Sequence, residues 1–298
     1  MRAFVTGAKG FVGSHLVPRL EQRGFEVIAT DRELDVSDAA RIESAVRRAR
    51  PDLLVHLAAL SSVAASWRDP EQTYRVNFLG TRAVLEALAR SAPRARLLLV
   101  GSADQYGSLE PDAAPVDETA PLRPRSPYAR TKTAADLLGA AWAGRGLDVV
   151  RVRAFNHSGP GQSDDFVLAS FARQAVEIAQ GRLEPRLRVG NLDSVRDFLD
   201  IEDVVDAYLR LCEPSTPAGV YNVASGVGVR IGDALGEILK LAGVQPSIEA
   251  DPERTRPRDH LVGDATRLRS ACGWTPRVAF SDTLARLVED WRQRGSAS

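Results

Sequence analysis

The chain has 298 residues and 44% hydrophobic composition, enough for a large core in one elaborated α/β domain or in two domains sharing a cleft. Its 39 basic and 39 acidic residues cancel, so no global field draws it to nucleic acid or an anionic membrane, and a bound anion needs locally placed groups. No apolar run approaches the ~18 residues of a membrane span, the N-terminus enters a strand without a charged leader, and Cys212, Cys272 and four scattered histidines form no ligand pattern. A soluble, cytoplasmic protein without a disulfide scaffold or metal site is therefore expected.

Arg2 to Thr6 reads as a short apolar strand running into Gly7-Ala8-Lys9-Gly10-Phe11-Val12-Gly13 and then a helical pattern through Leu20. Strand, glycine-rich turn and helix in that order make a phosphate site. The glycines let the backbone approach a pyrophosphate, which the helix N-terminus stabilises. Glu26 to Thr30 is a second strand, ending at Asp31, whose carboxylate is placed to accept hydrogen bonds from an adenosine ribose. Arg32 beside it suits a 2′-phosphate, so use of both NADH and NADPH is expected. Pro18 should kink the first helix.

Asp38 to Arg50 is helical, and Asp52 to Leu57 is a buried strand followed by Ala58-Ala59, small enough for a cofactor to lie on the backbone. Glu71 to Arg90 is a long helical pattern interrupted at Asn77 and Gly80. Arg96 to Val100 is a strand ending at Gly101-Ser102. Alternation at this spacing predicts a doubly wound parallel sheet with functional groups at the carboxyl ends of its strands.

Residues 103–125 read as a long loop, and long loops in compact domains are usually functional or disordered. In Ser126-Pro127-Tyr128-Ala129-Arg130-Thr131-Lys132, a tyrosine and a lysine four apart share one helix face. A phenol with an ordinary pKa near 10 is a poor acid-base group at neutral pH. A lysine ammonium nearby is expected to lower that value.

Asp148 to Phe155 is the next strand, and Asn156 to Gln162 a polar, glycine-rich loop at the ligand end of the sheet. Helices are expected from Phe166 to Gln180, Ile201 to Leu211 and Ile231 to Leu241. Arg186 to Val189 and Ser247 to Glu249 read as short strands, and Gly219 to Ala224 as a strand returning to the sheet. Arg196 and Arg256 stand in short polar contexts, and arginines converging on a cleft would hold a diphosphate.

Together these stretches resemble the extended short-chain dehydrogenase/reductase family: the Gly7, Gly10, Gly13 turn, Asp31, His56-Leu57-Ala58-Ala59, Ser102 with Tyr106-Gly107, and Tyr128 with Lys132. The resemblance covers essentially the whole chain. Within the family, Ser61-Ser62-Val63 with Ser66-Trp67, Phe155-Asn156-His157 through Gln162, and Val189-Gly190-Asn191-Leu192 through Phe198 look like the GDP-mannose branch.

The resemblance implies a Rossmann-type dinucleotide domain over residues 1–156, rejoined by segments near 195–225, and a smaller α/β nucleotide-sugar domain over 157–298. It implies reduction of a sugar C4 ketone by NADPH or NADH. Tyr128 would be the proton donor, Ser102 would bond the same oxygen, and Lys132 would hold the nicotinamide ribose. Lys9, Phe11, Val12, Arg32, Asp35, Val36, Leu57, Asn77 and Phe155 are implied for the dinucleotide. For a GDP-linked sugar the implied set is Ser61, Ala103, Asp104, Asn156, Val167, Val189, Asn191, Arg196, Arg256 and Asp259. A homodimer through the helices at 71–90 and 128–142 is also implied.

Three alternatives use the same features. A 4,6-dehydratase places a glutamate two residues before the Tyr-Gly turn, where this chain has the shorter Asp104. A 4-epimerase would keep its NAD bound. A non-catalytic dinucleotide sensor would have no need of Ser102, Tyr128 and Lys132.

Overall fold

The computed structural model describes residues 1–111, 113–251 and 259–296. Strands β1 (Arg2–Thr6), β2 (Glu26–Thr30), β3 (Leu53–His56), β4 (Arg96–Val100) and β5 (Val149–Ala154) alternate with helices α1 (Phe11–Gln22), α2 (Ala39–Ala49), α3 (Val63–Arg68), α4 (Pro70–Tyr74), α5 (Gly80–Ser91) and α6 (Pro127–Ala143). Beyond them lie β6 (Asn156–Ser158), α7 (Val167–Ala179), β7 (Arg186–Val189), β8 (Val195–Asp200), α8 (Ile201–Leu211) and β9 (Gly219–Val223). The described chain finishes with β10 (Gly228–Arg230), α9 (Ile231–Ala242), β11 (Ser247–Ala250), β12 (His260–Leu261), α10 (Thr266–Cys272) and α11 (Phe280–Ser296).

Among the described residues a six-stranded sheet runs in the order β2-β1-β3-β4-β5-β9, all pairs parallel. All four β3 residues and the first four of β4 are buried, as a sheet covered on both faces requires. On one face Leu16 and Leu20 of α1, Tyr208 of α8 and the fully buried Trp274 share a core; on the other, Ile42 and Val46 of α2 meet Val84, Leu85 and Leu88 of α5. Removing each such side chain from water contributes about 1.5–3 kcal/mol. A separate core joins α7, α9 and α11 through Phe171, Leu235, Ile238, Leu284 and Leu287. No helix among the described residues is long and apolar enough to cross a membrane.

Four features differ from the pattern in the sequence. The stretch expected as one interrupted helix over 71–90 is α4, a π-helical turn at Arg75–Leu79 and α5, with Asn77 buried inside the turn. Asn156–Ser158, expected as loop, is a strand paired in parallel with Phe198–Asp200 of β8, a partner far away in sequence. The loop over 103–125 opens with a 3-10 turn at Ala103–Tyr106 and is tied down by a bridge from Val116 to Gly263. Helix α1 runs through Pro18 as one element.

Candidate active site

The carboxyl ends of β1, β2 and β3 build a cradle. Gly7 has φ 70°, and a Cβ there would lie 2.7 Å from the Ala58 nitrogen, so glycine is required on both counts. A Cβ on Gly13 would come within 2.4 Å of the Gly7 oxygen; its absence lets α1 sit directly on the turn. Gly10 caps α1 without a side chain, so the first amides, those of Phe11, Val12 and Gly13, have no side-chain acceptor from the cap. Such a helix start suits a phosphate, and the cradle fits a dinucleotide pyrophosphate.

Asp31 accepts a hydrogen bond from the Lys9 amide (2.9 Å), locking the acidic end of β2 to the turn. Arg32 is exposed beside it, and the Lys9 ammonium lies 3.7 Å from Glu33. Asp35 accepts from the Ser37 hydroxyl and amide, bonds that hold its carboxyl below the ordinary range, and stands 3.8 Å from Arg75. Val36 is buried where Gly80 leaves room for it. Leu57, Ala58 and Ala59 line the turn after β3, half-buried.

At the ends of β4 and β5 stands the proton-transfer cluster. Ser126 caps α6 through the Ala129 amide (3.1 Å), with Pro127 in the first helical position, and this sets Tyr128 and Lys132 facing inward with 8% exposure each. The Lys132 ammonium donates to the Val100 carbonyl (2.8 Å), and burial lowers its pKa to about 8. The Ser102 hydroxyl oxygen accepts from the Asp104 amide (3.2 Å), and the hydroxyl is near enough to Tyr128 to favour its ionised form.

One expectation is overturned here. The Tyr128 phenol is shifted upward, not down: burial dominates, the Asp104 carboxylate adds to it, and the Ser102 hydroxyl opposes only in part. Lys132 directs its charge at Val100. Tyr128 is therefore a protonated phenol, a donor in waiting.

The same helix is held on two sides. Towards β5, Asp136 accepts from Arg151 (3.1 Å) and Arg153 (2.9 Å); Arg153 also donates to the Tyr106 hydroxyl (2.9 Å), which donates to Asn222 (2.7 Å). Gln105 donates to the Lys132 carbonyl (2.8 Å). Towards β3, the Asn77 amide accepts from the Leu60 N–H (2.8 Å) and donates to the Leu60 carbonyl and to Thr131 (3.1 Å each). Of these partners Asn77 was expected at the dinucleotide, whereas Gln105, Asp136, Arg151, Arg153 and Asn222 were not singled out in the sequence; the signal for them was a polar side chain at a position that burial patterns assign to the core.

The residues expected to meet a nucleotide sugar are distributed more widely. Ala103 is buried and Asp104 half-buried beside Ser102, and Asn156 opens β6 opposite Phe198. Phe155 is buried against Gly263, and Ser61 is exposed after β3. His157 stacks on Phe11 at 6.0 Å and His15 contacts the Pro160 carbonyl at 3.0 Å, so the glycine-rich loop lies on α1. Val167 starts α7 at the surface, whereas Val189 is buried in the α7–α9–α11 core. Asn191 accepts from the Asp193 amide. Arg196 and Asp259 are brought together as an ion pair. Burial works to raise the Asp259 pKa, but bonding and charge from Arg196 outweigh it and hold the carboxyl low. Arg256 lies outside the described residues.

Residues 3–224 match the NAD dependent epimerase/dehydratase family. The chain is 37% identical to GDP-6-deoxy-D-mannose reductase of Pseudomonas aeruginosa, covering 98% of both proteins. It superposes with TM-score 0.90 on the structure of RMD from Pseudomonas aeruginosa complexed with NADPH, at 37% identity over 98% of this chain and 99% of that one. It superposes with TM-score 0.88 on UDP-glucose 4-epimerase of Thermus thermophilus in complex with NAD, at 31% identity over 98% and 99%. With the glycine cradle and the Ser102, Tyr128, Lys132 cluster at the ends of its parallel sheet, the chain belongs to the NAD-dependent epimerase/dehydratase family, the extended short-chain dehydrogenases.

Proposed function

We propose that this protein reduces the C4 ketone of a GDP-4-keto-6-deoxy-hexose with NADPH or NADH, giving GDP-D-rhamnose. The observation that carries this reading is a buried Tyr128 one helical turn from Lys132, in a chain 37% identical to a GDP-6-deoxy-D-mannose reductase over 98% of both. When bound, the dinucleotide supplies the hydride that C4 receives.

The chain's own groups supply the rest. Tyr128 holds a proton at its phenolic oxygen and passes it to O4 as the carbonyl carbon accepts its electron pair. Ser102, its oxygen already accepting from Asp104, keeps a hydroxyl proton for the same oxygen and steadies the developing alkoxide. Lys132, one helical turn from Tyr128, holds the nicotinamide ribose. The Gly7 to Gly13 turn holds the pyrophosphate, and Asp31 with Arg32 faces the adenosine ribose, which accounts for use of either cofactor.

Residues 1–156 with the returning strand near 219–223 form the dinucleotide side, and 157–298 most of the nucleotide-sugar side. Asn156, Asn191 and the Arg196–Asp259 pair, with Arg256, hold the GDP-linked sugar. A cytoplasmic homodimer is part of the same reading. Arg130, Ala134, Leu137 and Ala141 form one stripe of α6, with Leu137 57% exposed, and Trp67 and Tyr74 on the neighbouring helices are 59% and 46% exposed. A largely apolar stripe of this kind, with Arg130 at one end, suits a second copy of the chain.

The test is incubation with GDP-4-keto-6-deoxymannose and reduced cofactor, following nicotinamide absorbance and identifying the product. Cofactor loss in proportion to product is expected, and Tyr128→Phe should lower turnover roughly a hundredfold to ten-thousandfold with dinucleotide affinity near wild type. Conversion of GDP-mannose to the keto sugar, or of a UDP-hexose to its C4 epimer, without net cofactor loss would overturn the reading.

A further inference from the structure

Thr6, His56, Thr81, Asn77 and Thr131 are buried polar residues for which the proposed reaction has no direct use. Their hydrogen bonds form one chain whose polarity can be worked out. Thr81 Oγ1 lies 2.7 Å from the Asn77 carbonyl, and a carbonyl only accepts, so the Thr81 proton points there. Thr81 must then accept from His56 Nε2, 3.2 Å away, and that nitrogen carries the imidazole proton. Burial first, and the Lys132 charge second, lower the His56 pKa to about 3, so the ring is neutral and Nδ1 is bare. Nδ1 accepts from the Thr6 hydroxyl (2.8 Å), and the Thr6 oxygen accepts from the Ala58 amide (3.3 Å).

Past the Asn77 carbonyl the chain resumes in the same direction. The Asn77 amide donates to Thr131 (3.1 Å), and Thr131 donates to the Tyr128 carbonyl (2.8 Å). Along this path each donor points away from the turn after β3 and towards the residue that carries the phenol, while the Asn77 amide also donates back to the Leu60 carbonyl. Bonds aligned in this way polarise one another within each run, and the two runs meet at Asn77 only through its covalent frame, from the main-chain carbonyl to the side-chain amide. The chain cannot conduct protons, because it enters Asn77 at a carbonyl and leaves from an amide nitrogen. Its effect is positional. Asn77 sits in the π-helical turn, a geometry that occurs mostly as single turns at functional sites.

We propose that His56, held as the Nε2–H tautomer, is a positioning residue that sets the Tyr128 helix against the dinucleotide-side turn through Thr81, Asn77 and Thr131; this rests on the reading of Tyr128 as proton donor. The chain starts at Ala58, whose nitrogen packs on Gly7, and ends at Tyr128. The two surfaces between which hydride and proton must be delivered are thereby held in one register.

The experiment is a double-mutant cycle between His56→Asn and Thr131→Val. Among the described residues no hydrogen bond joins these two side chains directly; they communicate through Thr81 and Asn77. Asparagine can keep the bond to Thr6 but is too short to reach Thr81. Each single variant should lower kcat about three- to tenfold with the sugar KM within about twofold, and the double variant should be no slower than the slower single. His56→Gln, which can reach Thr81, should recover most of the loss. Effects that multiply, or a kcat that follows thermal stability alone, would reduce the chain to ordinary packing.

The tautomer is read separately, from nitrogen-15 spectra of the histidine-labelled wild-type protein. A neutral Nε2–H ring is expected throughout the activity range; an Nδ1–H or charged ring overturns the proposal. This readout needs no turnover. A wild type inactive on the keto sugar therefore refutes the reductase reading and leaves the proposal to be decided by the spectrum.

Discussion

Helix α6 is fastened on its two sides by opposite chemistry. On the β5 side the fastening is ionic: Asp136, 3% exposed, is shared by Arg151 and Arg153, and Arg153 continues to Tyr106 and Asn222. On the β3 side it is neutral, made of hydroxyls, an imidazole and an amide. An ionic knot in a dry interior is strong only while complete, because removing one partner strands a desolvated charge. A neutral chain costs less to bury and loses less when one link is cut, but its donors fix a direction. The ionic side is therefore the anchor of α6, and the neutral side sets its register.

The comparison is broken most severely at Asp136. Asp136→Ala leaves two guanidinium groups without their carboxylate and should cost about 3–5 kcal/mol. In a chain of this size that lowers Tm by about 5–8 °C, measurable by calorimetry. A loss below about 1 kcal/mol would mean that Arg151 and Arg153 reach water and that the anchor is not ionic.

Lys132, between the two sides, gives the next effect. Its pKa falls from 10.5 when unfolded to about 8 when folded, so between these values the unfolded chain binds more protons and stability must rise with pH. The cost of burying the ammonium is complete below pH 8 and is relieved by about pH 10.5, roughly 3 kcal/mol in all. Denaturant midpoints of the cofactor-free protein across this window should climb for wild type relative to Lys132→Met. Parallel curves would show that Lys132 reaches solvent.

The smallest effect belongs to Ser126, which touches neither side. Ser126→Ala removes the cap of α6 and should cost about 1 kcal/mol while leaving the cofactor affinity alone. A larger loss of turnover than of stability would make the helix start a third element of control.

The local patterns survive in the structure because they need no distant partner. The glycine turn at 7–13, the buried strands LLVH and RLLLV, and the Ser126-Pro127 start of α6 were legible from neighbours a few residues away. What escaped depends on contacts far along the chain. Asn156–Ser158 looks like a turn because its glycines follow at once, yet Leu199 and its neighbours recruit it into a strand. Asn77 and Gly80 were visible as an interruption, but only the packing of Val36 against Gly80 and of Leu60 against Asn77 makes that interruption a π-turn. The upward shift of Tyr128 escaped for the same reason: sequence spacing puts a lysine near a phenol but cannot give the burial that outweighs it.

The outermost strand of the large sheet carries a consequence for synthesis on the ribosome. Gly219–Val223 pairs with Val150–Ala154, with residues 155–218 in between. Translation at about 5–20 residues per second leaves the unpaired edge of β5 waiting on the order of ten seconds for its neighbour. Tyr208 and Leu209, which join the same core, emerge only near the end of that wait, and Trp274 later still. A chain truncated near residue 160 and released therefore displays a parallel edge, Val149-Val150-Arg151-Val152, with nothing to close it, and edges of that kind nucleate aggregation. Chains truncated there and released should depend on chaperones, whereas chains released beyond residue 275 should close the sheet unaided.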